Sequence, residues 1–238
     1  MIRLMKHGLR PFGAAICGAL ALAAPAAEAQ RALQGELSFE LGRNQEKSRN
    51  YKHIATSLGT TFDNGVGLQL DLSVGKFESV ISTQPAAAVH VYFAPGGGWA
   101  LGAYLSGEDQ RPGNYVHLGL EAGYDAGPFD LEAYAAYRDD RAASSDGSRY
   151  GIAAAYAPDS WNGAGLFGGG HVDEGLPGGD RSIAYLGTDY RFGNNTRLSL
   201  MAGRTDLSET VMKLSYSITF GDGPRFSRRD NMSTFGPY

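Results

Sequence analysis

Apolar residues recur at every second position along most of this chain. In VGLQLDLSVG (66–75), Val66, Leu68, Leu70, Leu72 and Val74 alternate with Gly67, Gln69, Asp71, Ser73 and Gly75. A period of two puts the first set on one face of a β-strand and the second on the other. The pattern returns in NYVHLGLEAGY, where Val116, Leu118 and Leu120 oppose His117, Gly119 and Glu121. It returns in FDLEAYAAYR, where Phe129 and Leu131 oppose Asp130, Glu132, Tyr134 and Arg138, and in VMKLSYSITF near residue 220. Twelve such segments can be read, with ten to fourteen compatible with the pattern. The ninth, WNGAGLFGGGHV, is the weakest, because its glycines hide the phase and a bulge fits them. Helical periodicity is nearly absent, so the chain reads as all-β.

The connections alternate in character. After even-numbered strands come DNG (63–65), PGGG (95–98), AGP (126–128), PDS (158–160) and GNN (193–195), residues suited to tight hairpins. After odd-numbered strands come polar, mostly longer stretches such as KFESVISTQP and DDRAASSDGS. Asp109, Asp139, Asp140, Asp146, Asp173 and Asp180 are expected there as solvated loop charges, with calcium or lipopolysaccharide-bound cations as the alternative. Aromatic residues gather beside the tight turns: Phe62, Phe93, Trp99, Tyr124, Phe129, Tyr156, Trp161, Phe192 and Phe220. Wherever the phase is readable, they share the face of the Leu and Val residues. A soluble sandwich or lipocalin-like can shows the same alternation. It has no reason to repeat an aromatic belt at one end of every hairpin, whereas a lipid–water boundary favours one.

The first residues differ from the rest. Arg3, Lys6 and Arg10 precede an alanine-rich apolar run, and Ala27 and Ala29 occupy the small-residue positions of a cleavage site. This is the pattern of a secretory signal peptide spanning 1–29. The single cysteine, Cys17, falls inside it, so the mature chain has no disulfide or thiolate chemistry. The net charge of −4 becomes more acidic once three basic residues leave, which argues against nucleic acid as a partner. Residues 30–220 form one barrel-like unit, and 221–238 read as a polar C-terminal tail.

Together, the leader, the DNG- and PGG-type turns and the closing strand KLSYSITF resemble Gram-negative outer-membrane β-barrels of the porin-like kind. The resemblance implies an antiparallel transmembrane barrel with short periplasmic turns and longer outer loops, contacting outer-membrane lipids. It also implies that the last strand's terminal aromatic, here Phe220, is the signal read by the barrel-insertion machinery. Such barrels usually stop at that aromatic; this chain continues to Tyr238.

The polar face then carries the candidate function. Asp71, His90, Tyr92, Tyr104, His117, Glu121, Asp130, Glu132, Asp189, Arg191, Arg197 and Lys213 are the candidate pore-lining residues. Closure sets the last strand beside the first, within reach of Lys213 to Glu36 or Glu40. The acidic set on strands six and seven and the mostly basic set on ten to twelve either face each other across a polar pore or pair into a network that closes it. Twelve strands lie between barrels filled by side chains and those with open channels, so a narrow or partly plugged lumen is expected. The leading function is a small passive diffusion pore for hydrophilic solutes. A closed structural or adhesive barrel acting through its loops is the alternative, and a lipid-modifying enzyme a further one. No H-x-S pair or G-x-S-x-G elbow supports the enzyme. No H-x-H spacing points to a metal, and nothing implies a cofactor.

Overall fold

The alternation becomes twelve strands in the computed structural model, which describes residues 33–78, 83–109, 114–141, 145–176, 179–193 and 195–227. They are β1 (Gln34–Asn44), β2 (Arg49–Thr61), β3 (Val66–Phe77), β4 (Gln84–Gly96), β5 (Trp99–Asp109) and β6 (Asn114–Ala126). Then follow β7 (Phe129–Asp140), β8 (Ser145–Tyr156), β9 (Ala164–Glu174), β10 (Arg181–Arg191), β11 (Thr196–Thr205) and β12 (Thr210–Phe220). Each strand pairs antiparallel with its sequence neighbours, and β12 pairs with β1 to close the barrel. Closure satisfies every edge, the condition for crossing a bilayer with strands. The expected signal peptide, 1–29, and the tail beyond 227 lie outside the described residues.

The two faces are inverted relative to a soluble can. Leu118 and Leu120 are 61% and 70% exposed on the outside, while their neighbours His117 and Glu121 are buried inside. The largest fully buried side chains include Arg138, His90, His117, Gln69, Asp71 and Asp173. An apolar exterior around a polar interior is stable only where the exterior meets lipid. At the turn end the aromatics touch along the outer wall. Trp99 meets Tyr124 and Phe129 meets Tyr156, each pair at 4.6 Å, and Trp161 stands edge-on to Tyr156 at 5.3 Å.

Inside, large rings are laid across glycines. Tyr51, Tyr92, Tyr104 and Tyr134 sit directly opposite Gly42, Gly67, Gly119 and Gly151 on the next strand. A Cβ at any of these glycines would overlap the facing ring. Glycine, normally weak in a strand, here provides the flat seat that an inward tyrosine needs in a narrow tube.

Two expectations are corrected. The ninth strand is regular on both sides, with Gly169 facing inward under Tyr185. The bulge lies instead in β4, between Phe93 and Gly96. The ladders also run on into the polar stretches, so the connections after odd strands shrink to 45–48, 78–83, 110–113, 141–144, 175–180 and 206–209. Asp139 and Asp140 pair with Asp146 and Ser145 in the β7–β8 ladder, and Asp173 is buried in β9, so these are wall residues rather than loop charges.

Candidate functional site: the lumen

The seam is built first. Arg197 on β11 donates through Nη2 to both oxygens of Glu36 on β1, at 2.9 and 2.8 Å. Its Nη1 lies 3.9 Å from Asp189 on β10, and Thr219 on β12 donates its hydroxyl to Glu36 at 3.2 Å. Four residues further along β1, Glu40 accepts from Lys213 at 3.3 Å and lies 3.1 Å from His53 on β2. The closure pairing expected for Lys213 is therefore present, with Glu40 as the partner. Charge-assisted bonds of this kind orient a polar wall without needing a dry core.

The β3–β9 side of the lumen is filled. His90 sits between two carboxylates, its Nε2 3.0 Å from Asp71 and its Nδ1 3.0 Å from Glu121. Its face stacks on Tyr104 at 5.7 Å, and Tyr104 in turn meets Tyr134 edge-on. Towards the far end, Arg149 grips Asp173 with two parallel bonds of 2.6 and 2.8 Å and lies 3.6 Å from Glu108. Ser106 lies 3.3 Å from His117 Nδ1, and Arg138 lies over the Tyr115 ring. His90, Tyr104, His117 and Glu121 thus belong to packed clusters.

The opposite side is open. One cavity, with about 130 Å³ of water-accessible space, is lined by Glu40, His53, Asp71, Asp189, Arg197 and Lys213 among others. A second, with about 400 Å³ at the turn end, is lined by Tyr92, Asp130, Arg191 and Arg197. Glu36, Arg197 and Ser227 line both, so these groups stand between the two chambers. Glu132 faces inward and accepts a bond from the Ser227 backbone N–H at 2.7 Å.

Sequence reasoning passed over Arg138, Arg149, Glu108 and His171 as site residues, although their strand parity is readable. It had no signal for Phe226. That side chain, six residues past the last strand, is 1% exposed inside the barrel.

A model of the Gram-negative porin family matches residues 78–210. Among solved structures, the KdgM porin superposes with a TM-score of 0.63 at 11% identity, covering 78% of this chain and 99% of that one. The NanC porin gives 0.65 at 8% identity, covering 77% and 100%. An outer membrane channel from Pseudomonas putida F1 gives 0.55 at 11%, covering 81% and 97%. No curated protein matches the chain by sequence. The twelve-stranded, inside-polar barrel and the family match lead to one conclusion: the chain belongs to the Gram-negative porin family.

Proposed function

We propose that this protein is a narrow passive pore of the outer membrane, passing small hydrophilic solutes by diffusion and performing no chemistry. The observation that carries this reading is the pair of polar chambers that share Glu36, Arg197 and Ser227 in their walls. The free path follows the β10–β12–β1 wall, and Asp71, Tyr92, Asp130, Asp189, Arg191, Arg197 and Lys213 line it. His90, Tyr104, His117, Glu121 and Glu132 back it from the filled side.

One solved KdgM porin is in complex with oligogalacturonate, an acidic sugar chain. The wall here carries Arg197 paired with Glu36 and Lys213 paired with Glu40. A surface of internal ion pairs suits small neutral or zwitterionic solutes better than a long polyanion. Residues 1–29 would direct export, and β12 ending at Phe220 would present the aromatic read by the insertion machinery.

Purified protein, shown to be folded by heat-modifiable migration on a gel, should give small, well-defined conductance steps in a planar bilayer. Liposomes carrying it should swell faster in small neutral sugars than in acidic oligosaccharides. Folded protein that gives neither steps nor swelling would favour the closed structural barrel.

A further inference from the structure

The chain does not leave the barrel at Phe220. Gly221 and Gly223 take φ values of 60° and 80°, left-handed conformations that side chains resist, and they turn the backbone inward. Gln34 at the start of β1 holds the turn by donating to Asp222 at 3.0 Å. Pro224, Arg225 and Ser227 then line the turn-end chamber.

What receives this segment is a built site. The Gln69 side-chain amide reads both backbone groups of Phe226: its Oε1 accepts the N–H at 3.1 Å, and its Nε2 donates to the C=O at 2.9 Å. The same Nε2 donates to Asp71 at 2.9 Å, which fixes the amide's orientation. The Phe226 ring enters a slot between Tyr92, edge-on at 5.6 Å, and His90, stacked at 5.9 Å. The buried Ala100 forms part of the same cluster. Arg225 donates to the Gly98 carbonyl in the β4–β5 turn, and Glu132 accepts from Ser227 N–H. Gly123 leaves the space these side chains fill, since a Cβ there would lie 3.3 Å from the Phe226 ring. Groups from β3, β4, β5, β6 and β7 therefore converge on a few residues of a segment that the barrel wall does not need. A buried amide that finds both partners on one backbone unit is hard to satisfy by accident.

We propose that the turn end of the lumen is a docking site for an extended peptide bearing an aromatic side chain. Its ligand is this chain's own residues 224–227, and the docked segment is a tethered plug that sets the bore of the pore. The plug lies between the filled side and the free path, and Ser227 lines both chambers together with the Glu36–Arg197 pair. The effect on bore rests on the pore reading above; the docking stands without it.

Three proteins test this: the intact mature chain, a chain ending at Phe220, and Gln69→Ala, which keeps the tail but removes its clasp. Docking is read by trypsin, with mass spectrometry scoring cleavage of the Arg225–Phe226 bond in folded protein. The intact chain should resist and Gln69→Ala should be cut. Bore is read by single-channel conductance, which should rise roughly twofold or more in both altered proteins, because the plug limits flux. A synthetic peptide of residues 221–238 added to the shortened channel should lower it again. Rapid cutting of the intact chain overturns the docking. Equal conductance in all three proteins, with the bond protected in the intact chain, overturns the plug. Silence of all three overturns the pore reading and the plug's effect on bore with it, while protection of the bond still reports the docked tail. Should the shortened chain fail to fold, Gln69→Ala alone decides between these outcomes.

Discussion

Tyr134 has room to lie flat against the inner wall because Gly151 opposite it has no side chain. Gly151→Ala drives a methyl into that ring, which is also held edge-on by Tyr104. The expected cost is about 1–3 kcal/mol, the usual range for overpacking. Urea unfolding in detergent should show it, and Tyr134→Ala in the same chain should return part of the loss. On the outer face, Leu120 is the most exposed large apolar residue of the barrel among those described. Leu120→Arg should cost roughly 2–4 kcal/mol if it sits near the bilayer midplane, measured by the same unfolding. Parity made both residues readable in the sequence. Asp71 shows where parity stops. Its inward direction was legible, but its bonds to Gln69 and His90 come from strand neighbours and a distant pairing. Asp71→Asn therefore disturbs a packed network as well as the lumen's charge.

Among the elements, the strands were legible and their ends were not. Polar residues at a strand end look like loop, because the sequence alone does not show that a partner strand continues beside them. Asp173 is such a residue: Arg149 on the neighbouring strand turns it from a loop charge into a buried ion pair. The 45–48 connection between β1 and β2 offers a test at this scale. Thr210 at the start of β12 donates its backbone N–H to Glu46 at 2.6 Å and its hydroxyl at 3.0 Å. These bonds hold the Glu46 carboxyl below the usual carboxylate range, the backbone bond foremost. A lowered carboxyl stabilises the folded state above the ordinary range and loses that effect as pH falls through the lowered value. The Thr210 amide resonance should therefore shift at a lower pH than that at which free glutamates titrate. Glu46→Gln should abolish that step.

Taken whole, the barrel is filled on one side and holds cavities on the other, a division that no single strand carries. It arises from which inward side chains are large and mutually bonded on β3–β9, and from the tail that joins them. Because the tail reads as a polar stretch, its burial was illegible: the slot for Phe226 is assembled from Ala100, Tyr92 and His90, far away in sequence. The open side predicts a charge effect. Arg197→Glu places another carboxylate beside Glu36 and Asp189, so the reversal potential in a salt gradient should move towards cation preference.

The β1–β12 seam also orders events in time. Every other ladder joins strands one connection apart, but this one joins Gly35 to Phe220. Hairpins can zip locally as the chain becomes available, whereas the seam waits for the whole barrel sequence and carries the largest loop-closure cost. Until it forms, β1 and β12 each present an unpaired edge, the surface on which stalled chains associate. The Glu36–Arg197 and Glu40–Lys213 contacts form only at that late step, and Phe226 has no interior to enter before it. A refolding time course should accordingly show Tyr and Trp signals from the hairpins first. Protection of the Arg225–Phe226 bond should come last, as the clock of a closed wall.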